Sequence, residues 1–266
     1  MSNRGPLLGM AALFAVVGVG IVAGAPLGVG PLAATTPPDQ VTDPREMVAR
    51  SLQSVLDAFS FHLDATVDGT LPGPVLDRPA GSVALDGTTV TADLRPKDVR
   101  TRATVTSEPL AITLETVTVW GDLWYRTTPD GPWTKASLGA LVGDAGFDAN
   151  PLTLVDRLRA YLSQPAHRPA TSEVPCASPS GTCHHLVFDA ASDPGDLLRA
   201  VLPDANAAAL PAVTTTVTLD TDAKTLHPAR LALDMTSVDG SVDLHVVMET
   251  SKWDEPVQIE EPPQGS

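Results

Sequence analysis

Apolar residues recur along the chain with two different periods, and the first of them has the spacing of a helix. Between Asp43 and Ser60 they follow one helical face, as Met47, Val48, Leu52, Val55, Leu56 and Phe59. The segment opens with helix-start signals, since Asp43 can cap, Pro44 suits the first turn and Glu46 completes a capping box. The pattern predicts a helix that begins at Pro44 and ends near Ser60.

A period of two then replaces the helical period. In "FSFHLDATVDG" apolar and polar residues alternate from Phe59 to Asp68, which predicts a half-buried strand. Within "GSVALDGTTVTADL" the pair Asp86–Gly87 predicts a tight hairpin turn. The stretches "TRATVTS" and "LAITLETVTVW" continue in the same way. Together they predict an antiparallel meander with one buried face and one solvated face.

Helical patterns in the middle of the chain separate two runs of strands. "NPLTLVDRLRAYL" and "DPGDLLRAVLP" predict helices at 151–162 and 194–202, with a cysteine loop and the strand "HHLVFDA" between them. Three further strand patterns follow Pro211. Strands and helices therefore occur in runs rather than in alternation, which predicts an α+β fold with an antiparallel sheet. The pattern places one domain at residues 43–262, followed by a tail at 263–266.

The first 34 residues have a different composition. No charged residue occurs between Pro6 and Ala34, and Leu7 to Ala25 forms a run of 19 apolar or small residues without proline. Such a run is long enough to span a membrane, but it is also glycine-rich and is followed by small residues that suit a signal peptidase. An uncleaved anchor and a cleaved signal peptide therefore both remain open. Either one places the domain outside the cytoplasm, beyond a proline-rich linker at 35–42.

Charge and motif content narrow the function classes. The chain has 32 acidic residues against 17 Lys and Arg, a net charge of −15, which excludes nucleic acid as an expected partner because like charges repel. A nucleophile elbow, a His-Glu-x-x-His motif, a phosphate-binding loop and a dinucleotide fingerprint are all absent from the sequence. The sequence therefore predicts no catalytic residue and no cofactor, and the protein is not expected to be an enzyme.

The two cysteines, Cys176 and Cys183, lie close together in "CASPSGTC". In an oxidising compartment such a pair predicts a disulfide with a structural role. The alternative is a zinc site that adds His184 and His185. The spacing C-x6-C-H-H matches no common zinc pattern, and oxidation would remove both thiolates. No metal is therefore predicted, although the alternative can be tested.

The stretch "WGDLWYRTTPDGPWTK" holds three of the four tryptophans of the chain, between two turns. Leu123 and Tyr125 lie on one face of the intervening strand, and Trp124 and Arg126 lie on the other. Tryptophans beside hairpin turns bury a large area at the end of a sheet, which favours a structural role. Direct contact with a ligand is the second interpretation.

These motifs, in this order, resemble the LolA-like lipoprotein-carrier superfamily, and most closely the LppX/LprG-type lipid-carrier lipoproteins. The hairpin is similar to that family's "Gly-x-x-Tyr-x-(turn)-x-Trp" element. "VTLDTDAKTLHPARLAL" is similar to its strand–"D-x-x-T-x-x-P-x-R"–strand element, at Asp220, Thr225, Pro228 and Arg230. "SKWDEPVQIEEPP" is similar to its C-terminal strand. The resemblance covers residues 43–262, and the chain departs from the family in having no lipobox cysteine after the hydrophobic run.

The resemblance implies a curved antiparallel half-barrel with helices across its concave face and an apolar cavity between them. The expected function is extracytoplasmic binding and transport of a lipid or other hydrophobic ligand in the bacterial envelope. The alternative is a membrane-anchored sensor or regulatory ectodomain that uses the same fold to bind a protein partner. Candidate cavity residues lie on the apolar faces of their elements: Phe61, Leu63, Val83, Leu85, Ile112, Leu114, Trp124, Leu154, Leu158 and Leu198.

Overall fold

The chain folds around one curled antiparallel sheet. The computed structural model describes residues 36–76, 81–95, 98–107, 110–136, 158–164, 166–189 and 206–263, together with 195 and 197. Its long helix is α1 (Pro44–Asp57). Its strands are β1 (Phe61–Pro72), β2 (Ser82–Ala84), β3 (Thr88–Arg95), β4 (Asp98–Ser107), β5 (Leu110–Val119), β6 (Asp122–Arg126), β7 (Thr134–Ala136), β8 (Ala170–Pro175), β9 (Thr182–Asp189), β10 (Val213–Asp222), β11 (Pro228–Ser237) and β12 (Asp243–Ser251).

The strand order is β7-β6-β5-β4-β3-β1-β12-β11-β10-β9-β8, and β2 pairs with β1 off this path. β1 therefore joins two meanders, one formed by the strands β3 to β7 that follow it and one by the last five strands of the chain, β8 to β12. Neighbouring strands along this path are antiparallel, and the sheet is open, with β7 and β8 at its two edges. The predicted α+β class and the curved half-barrel are confirmed.

Helix α1 begins where the sequence predicts. The side chain of Asp43 accepts a hydrogen bond from the backbone N–H of Arg45 at 3.0 Å, and proline occupies the first turn. The helix buries Met47, Val48 and Leu52. It ends at Asp57, three residues before the predicted end, and Phe59 is 64% exposed rather than part of the buried helical face.

The two faces of the sheet differ in composition. Leu63 pairs with Ala92, and Ala92 pairs with Thr101, so these residues lie on one face, which we call the inner face. His62 and Asp93 pair on the opposite, outer face. Helix α1 lies against the inner face of β10 and β11, where Val48 and Leu52 join a cluster with Leu219 and Leu186. The apolar faces of helix and sheet thus meet on the inner side.

A turn is present at Asp86–Gly87, where Thr88 N–H donates to the Leu85 carbonyl at 3.1 Å, but the predicted hairpin is wrong. Strands β2 and β3 both pair antiparallel with β1, so the chain continues in one direction through this dipeptide instead of reversing. The side chain of Asp86 accepts from Gly69 N–H at 2.8 Å, and the side chain of Asp68 accepts from Gly87 N–H at 2.8 Å. Gly69 has a φ of +117°, and a Cβ there would lie 1.7 Å from the Asp243 carbonyl oxygen. Two Asp-Gly pairs therefore bend two adjacent strands together.

Parts of the predicted organisation fall outside the described residues. Residues 158–162 are helical, as predicted, and so are 195 and 197, but the remainder of the helices expected at 151–162 and 194–202 is not described. The anchor or signal peptide and the residues of the tail after 263 also lie outside this range. Among the described residues, no helix has both the length and the apolar character needed to cross a membrane.

Candidate functional site

The inner face of the sheet contains most of the candidate cavity residues that are described. Six of them are 7% exposed or less: Phe61, Leu63, Val83, Leu85, Leu114 and Leu158. The backbone of Ile112 pairs with Val105 on β4, but its side chain is outside the described part of the structure, as are Leu154 and Leu198. The sequence therefore identified buried inner-face positions, but burial alone does not distinguish a cavity wall from a packed core.

These residues do not form a single cluster. Phe61 and Leu63 pack with Leu94 and Val99 at one end of the inner face. Val83 and Leu85 belong to a second cluster, with Met235 and Leu244, and Leu158 belongs to the cluster beneath α1. Leu114 is 4% exposed but is in none of the clusters that the described residues form. The candidate set is thus spread along the inner face, over several strands.

The middle of the inner face carries small side chains. Ala65, Ala92 and Ala103 lie on the adjacent strands β1, β3 and β4, and each is 6% exposed or less. Next to them the hydroxyls of Thr101 and Thr116 are hydrogen-bonded at 2.6 Å. Alanine removes side-chain volume from the concave side of a curled sheet. The middle of the inner face therefore carries smaller side chains than its two ends, with Val90 between Ala65 and Ala103.

Two further inner-face hydroxyls lack a hydrogen-bond partner in the described structure. They belong to Thr88 on β3 and Thr118 on β5, which are 0% and 8% exposed. A buried polar atom without a partner costs free energy, of the order of 1–3 kcal/mol. Each of these hydroxyls is thus available to a polar group of a bound molecule or to a water.

Trp124 lies on the other face of the sheet, so its prediction as a residue of the inner cavity is wrong. It pairs with Val117, whereas the inner-face residue Thr116 pairs with Tyr125. Trp124 is 2% exposed and packs on the outer face with Val117, Val119 and Ile259. The structural interpretation of this tryptophan is the one that the packing supports.

One partner of Trp124, Ile259, comes from a C-terminal segment that crosses from one end of the sheet to its outer face. Trp253 stacks on Phe61 with ring centroids 4.9 Å apart, and Asp254 N–H donates to the Ser60 carbonyl at 2.8 Å. Farther along, Arg95 donates to the carbonyl oxygens of Val257 and Ile259 at 3.3 and 3.1 Å. The similarity to a C-terminal strand predicted more β-structure than is present, because β12 ends at Ser251.

The predicted disulfide between Cys176 and Cys183 is present. It closes the turn between β8 and β9, where Gly181 N–H donates to the Ser178 carbonyl at 2.9 Å. His185, which the zinc interpretation used as a ligand, contacts Asp220, and its Nδ1 lies 2.6 Å from Asp220 Oδ1. Across the described residues, no group of three or more His, Cys, Asp or Glu side chains is arranged to hold a metal ion.

Asp222 organises the neighbouring turn between β10 and β11. It is 1% exposed, and one of its oxygens accepts from Lys224 N–H and Thr225 N–H, both at 2.9 Å. Its other oxygen accepts from Ser180 N–H in the cysteine loop at 3.0 Å. Burial raises the pKa of this carboxyl, but hydrogen bonds from Ser178, Thr225 and Ser180 outweigh burial and hold the pKa well below its ordinary value. The acid of the "D-x-x-T" element is therefore Asp222, two residues after the predicted Asp220.

Comparison with known proteins gives similarities of structure only. No protein-family model matches the sequence, and no curated protein matches it. LprF from Mycobacterium bovis is 15% identical with a TM-score of 0.49, over 82% of this chain and 96% of that one. The MucA/MucB complex of Pseudomonas aeruginosa is 11% identical with a TM-score of 0.33, over 79% of this chain and 58% of that one. The LolA superfamily protein NE2245 from Nitrosomonas europaea is 9% identical with a TM-score of 0.24, over 84% of this chain and 96% of that one.

The structures found include a protein of the LolA superfamily, which is the superfamily that the sequence resembles. Identities of 15% and less, with TM-scores below 0.5, carry no information about what this chain binds.

Proposed function

We propose that this chain binds and carries a lipid or other hydrophobic ligand on the inner face of its sheet, outside the cytoplasm. The observation that carries the proposal is the inner face itself. It is largely apolar from β9 across to β5, with buried threonines among the apolar residues, and the alanines at its centre are smaller than the leucines at either end. Leu114 lies beside these alanines, opposite Ala103.

The energetics suit an acyl chain as the ligand. Burying a methylene group contributes about 0.8 kcal/mol, so roughly ten methylenes contribute about 8 kcal/mol before the costs of binding. A curled sheet with small residues at its centre offers a long apolar surface for such a chain. The unpartnered hydroxyls of Thr88 and Thr118 are acceptors or donors for the polar end of an amphiphile.

An extracytoplasmic location is part of the proposal. The run from Leu7 to Ala25 serves as an anchor or a signal peptide, and both deliver the domain to the envelope. The disulfide supports this location, because such bonds persist in oxidising compartments.

The test is to look for lipid in the full-length protein purified in a neutral detergent, by solvent extraction and mass spectrometry. We expect a lipid in stoichiometric amount in the wild type. In Leu114→Trp the indole would occupy ligand space, so lipid should be lost while the thermal midpoint changes little. If the site is a packed core, the same substitution overpacks it and costs about 1–3 kcal/mol. A large loss of stability together with a wild type free of lipid would refute the proposal.

Val117→Trp is the matched control. Val117 is 1% exposed but lies on the outer face, three residues from Leu114 on the same strand. Overpacking there should lower stability by about 1–3 kcal/mol and leave the lipid content of the folded protein unchanged.

A second candidate function is a regulatory ectodomain that binds a protein partner. It is favoured by two exposed aromatic side chains at the same end of the sheet, Phe59 at 64% and Trp120 at 74% exposure. Exposed aromatic residues are enriched in protein interfaces. If lipid is absent and Trp120→Ala abolishes cross-linking of the full-length protein to an envelope protein, this function replaces the carrier.

A further inference from the structure

A polar pocket of about 320 Å³ lies on the outer face of the sheet, opposite the apolar inner face. Arg100, Arg102, Glu115, Arg126 and Trp133 line it. His62 and Asp93 complete its wall, with His62 Nδ1 and Asp93 Oδ1 at 2.6 Å. The pocket combines three arginines and a tryptophan in a chain whose net charge is −15.

The register of three strands places these side chains together. Arg100 and Arg102 are two apart on β4 and therefore share a face. Arg102 pairs with Glu115 on β5, and Glu115 pairs with Arg126 on β6. The positions of the arginines and of Glu115 are thus a consequence of the sheet, and the loop between β6 and β7 adds Trp133.

Glu115 holds two of the arginines in fixed positions. Its side chain is 8% exposed, and its two oxygens accept from Arg102 Nε and Arg126 Nε, each at 2.6 Å. A nearly buried carboxylate needs such partners, since its desolvation is costly. The guanidinium of Arg126 also lies over the Trp133 ring, 4.7 Å from its centroid. Stacking and ion pairing therefore preorganise the N–H groups on this side of the pocket.

Arg100 takes no part in the ion pairs that Glu115 makes with Arg102 and Arg126. Among the described residues, none forms a hydrogen bond or ion pair with its guanidinium. Its cross-strand neighbours are Asp93, which contacts His62, and Val117, which is apolar. Glu115 pairs with Arg102 and Arg126, while Asp93 and the neighbouring Asp64 both contact His62. No carboxylate in the described part of the chain therefore pairs with Arg100.

We propose that this outer-face pocket binds a phosphate group, with Arg100 as its principal ligand and Arg102, Arg126 and Trp133 as its walls. Guanidinium N–H groups in a fixed fork match the oxygens of a phosphate, and their charge-assisted hydrogen bonds are strong. The group is that of a soluble phosphate ester or of a phospholipid headgroup, which share this chemistry. The site is on the face opposite the proposed lipid site and does not depend on it.

The experiment uses the full-length protein in dodecyl maltoside at low ionic strength. Inorganic pyrophosphate is titrated by calorimetry, and micelles doped with dioleoylphosphatidylglycerol or dioleoylphosphatidylcholine are compared by tryptophan fluorescence. We expect saturable binding of pyrophosphate and weakening by at least about tenfold in Arg100→Gln, since hydrogen bonds to charged groups have this strength. Arg100 is exposed and makes no hydrogen bond or ion pair with another described residue, so this variant should fold normally.

Arg168→Gln is the matched control, because Arg168 is exposed and precedes β8 at the opposite edge of the sheet. It should change the affinity less than about twofold, as expected for a distant screened charge. The wild type could instead bind phosphatidylglycerol micelles in preference to phosphatidylcholine micelles and not bind pyrophosphate. If Arg100→Gln then loses this lipid preference, the result would support the site and identify the phosphate as that of a lipid headgroup. Equal effects of the two substitutions, or no saturable binding of either probe, would overturn the proposal.

Discussion

Leu114 and Trp124 lie on adjacent strands, β5 and β6, but their side chains are on opposite faces of the sheet. Leu114 lies with the alanines of the inner face, whereas Trp124 packs against the C-terminal segment on the outer face. Within one hairpin, the proposed ligand-binding residue Leu114 and the structural residue Trp124 therefore lie on opposite faces.

Trp124→Ala should reduce stability without affecting a ligand. Trp124 is 2% exposed, and removing a buried indole costs about 3–5 kcal/mol. Denaturant unfolding measures the loss, and extraction measures the lipid. Trp120→Ala is the control, since Trp120 is 74% exposed and should cost far less. Loss of lipid from the folded Trp124→Ala protein would show that this residue has a role at the inner face.

Ile259→Ala tests whether the C-terminal segment belongs to the fold. Ile259 is 2% exposed and shares its cluster with Trp124, so the substitution should cost about 2–4 kcal/mol. Because the two side chains pack together, the double variant should lose less than the sum of the single losses. Simple additivity in denaturant unfolding would mean that the segment and Trp124 are independent.

Asp222→Asn should destabilise the protein in a pH-dependent way. Asparagine keeps one acceptor oxygen, but its NH2 group replaces the oxygen that accepts from Ser180 N–H. The free energy of unfolding should therefore fall by about 2–3 kcal/mol near pH 7. Because the folded pKa of Asp222 is lowered, its stabilising effect is present above the unfolded pKa of about 4. This stabilisation is lost as the pH falls below the unfolded pKa and then through the lowered pKa of the folded state.

Unfolding free energies measured between pH 8 and pH 2 would follow this change. The difference in unfolding free energy between wild type and Asp222→Asn should stay constant down to about pH 5 and then become smaller. Asp57→Asn is the control, because Asp57 is an exposed carboxylate that accepts from the Gln53 side-chain amide and does not organise a buried turn. A difference that is independent of pH would contradict the role assigned to the Asp222 charge.

The anchor remains a prediction, since the run Leu7 to Ala25 lies outside the described residues. The full-length protein should fractionate with membranes, and protease added to intact cells or spheroplasts should digest the domain. A mature chain that begins near Thr35 and is free in the medium would show instead that the run is a cleaved signal peptide.

The sequence predicted local structure more successfully than it predicted which face a residue occupies. The capping signals at Asp43 and the alternation in β1 depend on neighbouring residues, and both were confirmed. The alternation in β6 was also correct, but each of its faces carries an aromatic residue. Only the pairing of β6 with β5 decides that Tyr125 is on the inner face and Trp124 on the outer one.

The Asp86–Gly87 pair shows a similar limit. An isolated Asp-Gly predicts a chain reversal because glycine permits a positive φ. Here the second Asp-Gly pair, at Asp68–Gly69, supplies complementary hydrogen bonds across the strands, and the result is a bend. The arginine pocket was not predicted either, because Arg100, Glu115 and Arg126 lie on three strands. Their register brings them together, and alternation alone gives no register.

Replacing both cysteines by serine, Cys176→Ser with Cys183→Ser, should lower the free energy of unfolding by about 2–3 kcal/mol, as expected for a disulfide that closes a short loop. Thermal or denaturant unfolding measures this loss. Thiol labelling of the unreduced native wild type should find no free cysteine. Quantitative labelling of both would contradict the disulfide and revive the zinc interpretation.

Among the described strands, the open order of the sheet leaves β7 and β8 at its edges, and exposed edges are templates for aggregation. The edge strand β7 has three residues and carries Lys135, whereas β8 has six, is preceded by Pro169 and ends at Pro175. The disulfide that follows β8 ties this edge strand to β9, whose Leu186 and Phe188 are buried. If the proposed export fails and the chain stays in a reducing compartment, this cross-link is lost and strand pairing alone holds β8 beside β9. The edge of the sheet would then open more easily, and aggregation is the expected consequence.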